Sequence, residues 1–361
     1  MLVDLDVAGR PVLVVGAGAA ALGRIAALRD GGASVTVVAP EAVAAIADLA
    51  ERELLVWRQG PVEDADFDGV WLVVAATGDG SIDSDVQLRA EARKLLCMST
   101  SPAPSAAGKG NGDGRVVLVG GGPGDPGLIT VAGLAAVRAA DVVITDRLAP
   151  LAVLADVKPG AEVIDVAKIP GGRTTPQEEI NRLLIEHATA GKLVVRLKGG
   201  DNFVFGRGGE EWRACALAGV PVQIIPGVSS AIAAPALAGI PLTHRTANQG
   251  FTVISGHVPP GDVRSTIDYA ALAKSGTALV VMMGVGNLAA IAGQLIGFGL
   301  DPDTPAATIA DGTLPSQKVV RATLLTIEEA THAAGIRPPA VTVIGSVAAF
   351  DAEKPPRWSW E

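Results

Sequence analysis

Val194-Val195-Arg196-Leu197-Lys198-Gly199-Gly200-Asp201, running on through Asn202-Phe203-Val204-Phe205 into Gly206-Arg207-Gly208-Gly209-Glu210-Glu211, decides how this chain folds. A largely apolar strand pattern stops at a Gly-Gly-Asp turn, and a second glycine cluster followed by two acids opens a helix. Glycines in such a turn let bare backbone approach a ligand, and the carboxylate is expected to face its hydroxyl or amino groups. A second turn of this kind, Gly120-Gly121-Gly122-Pro123-Gly124-Asp125-Pro126, follows the strand-like Val116-Val117-Leu118-Val119. Two glycine turns at strand ends suggest a nucleotide-like ligand held between them.

Outward from these turns, composition sets limits. The 361 residues suffice for two or three domains, each with its own core. Hydrophobic residues make up 49% and aromatics only 3%, so the cores must be built from Val, Leu, Ile and Ala, which suits buried parallel strands. The net charge of −9, with no basic stripe, argues against a nucleic-acid partner. Cys97 and Cys215 make neither a disulfide framework nor a zinc set, which points to a reducing cytoplasm. Asp4 and Asp6 stand where a signal peptide would be basic, and the bland stretch Ala231 to Leu242 is too short for a bilayer. A soluble cytoplasmic protein is expected, without a membrane partner.

Residues 1–102 alternate strand and helix patterns in the βαβ manner, with strands expected at Pro11–Val15, Ser34–Ala39, Val70–Ala75 and Leu95–Met98. Residues 103–114, rich in Pro, Gly and Ser, form an expected flexible linker. An α/β region over 115–350 divides into lobes of about 115–226 and 227–350, the second with strand cores expected at Phe251–Ile254, Ala278–Met282 and Ala340–Ile344, and 351–361 is an expected tail. Thr175-Pro176-Gln177-Glu178 has the pattern of a capping box with proline at the first helical position. In the first domain, Gly16-Ala17-Gly18-Ala19-Ala20-Ala21 follows a strand and opens a helix, the setting of a dinucleotide fingerprint. Ala39-Pro40-Glu41 stands where an acid would close the second strand, so ribose recognition would be atypical. The bland alternative is a glycine turn needed only for helix–strand packing.

The Gly120–Pro126 and Lys198–Glu211 segments, with Pro226-Gly227-Val228-Ser229-Ser230 and Pro241-Leu242-Thr243-His244-Arg245, resemble the uroporphyrinogen-III C-methyltransferases of the tetrapyrrole methylase superfamily. That resemblance implies a two-lobed, homodimeric enzyme with S-adenosylmethionine between the lobes. It puts cofactor contacts on Pro123, Gly199, Gly200, Asp201, Val204, Ser229, Ser230, Met283 and Gly312. Asn202 stands where the family usually has proline.

Asp146, after the strand pattern Val142-Val143-Ile144, falls at the family's proton acceptor, and Lys168 at its proton donor. A pyrrole carbon that takes a methyl group becomes part of a cationic ring, which a carboxylate can stabilise and deprotonate. Read without the family, Asp146 is a helix cap and Lys168 a solvated cation. A porphyrinogen bears many carboxylates, so Arg147, Arg173, Arg207, His244 and Arg245 are candidate cations for them, each with a structural ion pair as its alternative.

The first domain also resembles the NAD-dependent precorrin-2 dehydrogenase and ferrochelatase module of sirohaem synthases, through Leu5, Arg10, the fingerprint, Gly31–Pro40 and Trp71–Thr77. That resemblance puts NAD contacts on Ala19, Ala20, Pro40 and Glu41, beside Gly16 and Gly18. No metal ligand set stands out. Met98 and Ser101 replace the family's Asn and catalytic Asp, and the linker stands where the helical dimerisation region would follow. Methylation of uroporphyrinogen III to precorrin-2 is therefore expected. Two alternatives concern the first domain: full sirohaem synthase activity, or a non-catalytic NAD-binding or assembly module.

Overall fold

Three five-stranded sheets carry the chain in a computed structural model that describes residues 5–99, 114–166 and 175–350. Lys168, Arg173, Ser101, the expected linker to Asp113 and the tail lie outside the described residues. The chain is α/β, and it divides into a unit through Gly227 and a second from Val228.

The first sheet is parallel throughout, in the order β3-β2-β1-β4-β5: β1 (Pro11–Val15), β2 (Ser34–Ala39), β3 (Val56–Gln59), β4 (Leu72–Ala75) and β5 (Leu96–Ser99). Val12 to Val15 and Leu72 to Ala75 are buried, as the middle strands of a sheet covered on both faces must be. Helices α1 (Ala19–Asp30), α2 (Ala44–Glu51) and α3 (Gly80–Ala92) supply the crossovers. This is the half-Rossmann strand order, with the fingerprint turn at the C-terminal end of the central strand.

The second sheet, also parallel, has the order β10-β6-β9-β7-β8, from β6 (Arg115–Gly120), β7 (Val142–Thr145), β8 (Glu162–Asp165), β9 (Leu193–Lys198) and β10 (Val222–Ile225). Helices α4 (Val131–Ala139), α5 (Gln177–Thr189) and α6 (Gly208–Leu217) flank it. The helix forms from 177 with Ile180, Leu184 and Ala188 buried, but Thr175 makes no cap. Pro176 keeps an extended backbone (ψ 150°) in the N-cap position, so the helix starts one residue late, and no side chain caps it. The side chain of Gln177 instead turns inward to Asn181 and Glu211.

Both sheets belong to one unit because α1 packs on the 3-10 segment Leu151–Asp156. Ala21, Leu22 and Ile25 share a core with Leu151, Val153, Leu154 and Val143. Gly23 permits this approach: a Cβ there would stand 2.5 Å from the Ala155 nitrogen.

The second unit contains β11 (Phe251–Ser255), β12 (Ala278–Met282), β13 (Pro305–Ala310), β14 (Lys318–Thr323) and β15 (Ala340–Ile344), in the order β11-β12-β15-β13-β14. Only β11 and β12 run parallel; the other pairs are antiparallel. Helix α7 (Ser230–Leu237) covers one face with Ala231 and Ala234. Helices α8 (Tyr269–Ala273), α9 (Leu288–Gly297) and α10 (Ile327–Ala333) cover the other with Tyr269, Ile291, Leu295 and Ile327. No helix among the described residues is long and apolar enough to cross a membrane.

Candidate active site

In the first unit the glycine turns meet one another before they meet any ligand. Gly122 and Gly200 exchange backbone hydrogen bonds, N–H of Gly122 to O of Gly200 at 3.1 Å and the reverse at 2.6 Å. Gly200 has φ +67°, a left-handed conformation that glycine adopts without the Cβ penalty. A Cβ on Gly227 would lie 2.3 Å from the Gly200 oxygen, and one on Gly199 would lie 2.3 Å from the Leu148 oxygen. The loops after β6, β7, β9 and β10 are thus stitched together through bare backbone at the C-terminal edge of the sheet. Ligand sites of open α/β sheets gather at that edge.

Asp201, expected to face a ligand, has both carboxylate oxygens engaged. Oδ1 accepts from the Phe203 amide at 2.8 Å and Oδ2 from the Gly227 amide at 3.0 Å. It shapes the loop, and each oxygen keeps a lone pair for a further donor. Pro123 and Val204 lie on the flanking loops, with Val204 exposed between the exposed Phe203 and Phe205. Asn202, in the proline position, is fully buried and donates to the carbonyls of Leu118 and Ile225, tying β6 to β10.

Asp146 sits just beyond β7, partly buried. Its Oδ1 accepts from the Leu148 amide at 3.2 Å, and its Oδ2 takes the guanidinium of Arg196 at 3.1 Å. Arg196 also donates to Glu211 at 3.0 Å and to the carbonyls of Ile144 and Leu197. Lys198 binds both Glu211 oxygens, at 3.0 and 3.1 Å. Arg196, Lys198 and Glu211 are all buried, Glu211 completely. Burial pushes the Lys198 ammonium below its ordinary range, helped by the Arg196 charge and opposed by Glu211. Carboxylates on both sides hold Arg196 firmly protonated against the same burial. This layer under Asp146 went unread in the sequence. The signal was present: cations two apart on a strand share a face, and a buried face needs an acid such as Glu211.

The remaining expected cofactor residues belong to the second unit. Ser229 caps α7 by accepting from the Ala231 amide, and Ser230 begins that helix. Gly312 packs on the same helix, where a Cβ would stand 2.4 Å from that of Ala234. Met283, just after β12, is exposed and has φ +55°, a strained conformation for a side-chain-bearing residue and one that clusters at functional sites.

Most of the candidate cations already have partners. Arg207 pairs with Glu210 at 2.7 Å, Arg147 with Asp48 at 2.9 Å, and the His244 ring contacts Thr246. Arg245 is exposed.

At the fingerprint the two glycines differ. Gly16 (φ +110°) is demanded by packing, since a Cβ would meet the Ala76 oxygen at 2.4 Å. Gly18 has φ −85°, and nothing lies within 4 Å of a Cβ there. It caps α1 without a side chain, no acid occupies the first turn, and at this amide end Ala20 is exposed while Ala19 is partly buried. That end suits a pyrophosphate. Pro40 and Glu41 are exposed after β2. Gly18→Asp should therefore leave stability equal or slightly raised, because Asp is a good N-cap, while abolishing NAD binding by charge repulsion. Unaltered NAD affinity by calorimetry would remove this helix end from the dinucleotide site.

Interlocked glycine turns beside a strand-end carboxylate, joined to a half-Rossmann domain, define an α/β transferase with a dinucleotide-binding module. Residues 115–328 match the tetrapyrrole (corrin/porphyrin) methylases, and 3–106 match a putative NAD(P)-binding family. The chain belongs to the tetrapyrrole methylase family. It is 36% identical to siroheme synthase 1 of Klebsiella pneumoniae subsp. pneumoniae over 94% of this chain and 92% of that one. It is 46% identical to the uroporphyrinogen-III C-methyltransferase of Synechocystis sp. over 66% of this chain and 91% of that one. Among solved structures, the Thermus thermophilus uroporphyrin-III C-methyltransferase complexed with S-adenosylhomocysteine is 41% identical, with TM-score 0.55, covering 65% of this chain and 98% of that one.

Proposed function

We propose that the chain transfers two methyl groups, one per S-adenosylmethionine, to uroporphyrinogen III, giving precorrin-2 and S-adenosylhomocysteine. The observation that carries this reading is Asp146, held at the end of β7 by the buried Arg196 and set beside the interlocked glycine turns. Cofactor binding is assigned to the Gly199–Asp201 turn, Pro123 and Val204 in the first unit, and to Ser229, Ser230, Met283 and Gly312 in the second. S-adenosylmethionine supplies the activated methyl group. The chain's own part is to hold the donor on bare backbone, to stabilise the cationic ring with Asp146, and to accept the ring proton on that carboxylate. Lys168 is assigned the complementary donor role. A homodimer of this chain is the assembly this reading favours.

For the first domain, NAD binding without efficient oxidation or iron insertion is the reading we favour. Asp79 and Asp83, the nearest carboxylates that could replace the missing acid, have structural work. Asp79 caps α3, and its bonds from the Ser81 hydroxyl and amide hold its carboxyl below the usual range. Asp83 is buried against Thr77. The likeness to a siroheme synthase along nearly the whole chain favours the second reading, full multifunctionality. That alignment spans 436 positions while covering 94% of the 361 residues of this chain, so within it the relative carries residues that this chain lacks.

Incubation with uroporphyrinogen III and S-adenosylmethionine, with and without NAD, separates the two by absorbance. Precorrin-2 in both arms is expected. NAD-dependent sirohydrochlorin, formed as fast as methylation, would establish the multifunctional reading instead.

A further inference from the structure

Helix α2 of the dinucleotide module carries a buried carboxylate that pairs with the residue next to Asp146. The helix reads Ala44-Ala45-Ile46-Ala47-Asp48-Leu49-Ala50-Glu51, and its buried residues are Ala45, Ile46 and Asp48. An acid on the inward face of a short apolar helix requires a partner. Asp48 finds one 99 residues away: its Oδ1 accepts from the Arg147 guanidinium at 2.9 Å. Its Oδ2 faces Arg52 of its own helix at 3.5 Å. The Asp48 and Arg147 side chains are 9% and 14% exposed, so the pair is shielded from the screening that weakens surface ion pairs.

The same helix touches the methylase sheet a second time. The Ala45 amide, in the first turn of α2, donates to the Asp165 carboxylate at the end of β8. The residue before the helix, Val43, donates its amide to the Ala17 carbonyl inside the fingerprint turn. Helix α2 thus runs from the dinucleotide turn to the ends of β7 and β8.

We infer that Asp48 is a positioning residue for methyl transfer, acting through Arg147 on the turn that presents Asp146. This rests on the assignment of Asp146 as the proton acceptor. Arg147 lies inside that turn, between Asp146 and the Leu148 amide that Asp146 accepts. The Leu148 carbonyl in turn packs on Gly199. Three anchors fix the segment: Arg196 on the Asp146 carboxylate, Gly199 beside Leu148, and Asp48 on Arg147. Without Asp48, a cation next in sequence to Asp146 loses its counter-ion and its fixed direction, and the carboxylate of Asp146 becomes one of its alternatives. Asp48 thereby keeps Arg147 from competing for the base.

A double-mutant cycle in the full-length protein tests this: Asp48→Ala, Arg147→Ala and the pair, with kcat and KM measured separately and S-adenosylhomocysteine affinity measured by calorimetry. Asp48→Ala should lower kcat on the order of tenfold, as small displacements of a reacting group do, with S-adenosylhomocysteine affinity unchanged. Asp48→Glu should recover most of the loss. In the Arg147→Ala background, removing Asp48 should cost nothing further. Should Asp48→Ala fail to fold, Asp48→Asn, equal in size and lacking the charge, runs the same cycle. Parental kcat in the Asp48 variant, or losses that multiply across the pair, would overturn the inference. Asp146→Asn with parental turnover would instead fail the assignment of the base, and the cycle would still report whether Asp48 and Arg147 act together.

Discussion

Asp146→Asn should lose on the order of a hundredfold or more in turnover while binding S-adenosylhomocysteine as the parent does. The substitution keeps the side chain's shape, and its amide oxygen can still accept from the Arg196 guanidinium that now meets the carboxylate at 3.1 Å. What it removes is the charge that stabilises a cationic ring and the basicity that takes its proton. Cofactor affinity is carried by other groups, the Gly199–Asp201 turn among them, so binding and turnover separate cleanly. Single-turnover kinetics with calorimetry provides the check. Unchanged turnover would take Asp146 out of the mechanism, and lost cofactor binding would make it a structural residue of the turn.

Glu211→Ala should destabilise the first unit by about 3–5 kcal/mol, the usual cost of stripping one partner from a buried ion network. Glu211 is fully buried and bridges Arg196 and Lys198. Removing it leaves two cations inside the sheet, with Asp146 as their remaining acid among the described residues. Lys198 already has its ammonium pushed down by burial, and the Glu211 charge is the largest opposing that push. Once the glutamate is gone, the Lys198 ammonium is pushed down further, whereas Arg196 stays charged beside Asp146. The loss should appear as a lower denaturant midpoint with little change in slope. A shift worth less than about 0.5 kcal/mol would put Glu211 among ordinary surface positions.

Local chemistry explains what could be read in the chain beforehand. Glycine clusters at strand ends announce close backbone approach whatever the approach is to, so both turns and the fingerprint stood out. Their first partner was less legible: Gly122, Gly200 and Gly227 approach one another, because interlocking depends on which strands become neighbours in the sheet. The order β10-β6-β9-β7-β8 brings segments from four parts of the chain to one edge, and no local pattern encodes that.

Asp48 was invisible for the same reason, since its meaning lies in Arg147, in the loop after β7. Arg196 and Lys198 were hidden by a different cause. In a largely apolar strand they resemble polar interruptions, and only the burial of Glu211 opposite explains them. Strands β13 and β14 escaped because Pro305-Ala306-Ala307-Thr308-Ile309-Ala310 is bland, and because β14, at the sheet edge, is only partly buried. The capping pattern at Thr175 misled because Pro176 took the N-cap position itself.

The central claim, double methylation of uroporphyrinogen III, is tested most directly by counting methyl groups. Purified protein is incubated with uroporphyrinogen III and excess S-adenosylmethionine without NAD, and the tetrapyrrole is weighed by mass spectrometry while S-adenosylhomocysteine is quantified. The account predicts a product heavier by two methyl groups and two S-adenosylhomocysteine molecules released per tetrapyrrole. An unmethylated tetrapyrrole from protein that binds S-adenosylmethionine, or methyl transfer only to a substrate already methylated, would contradict it.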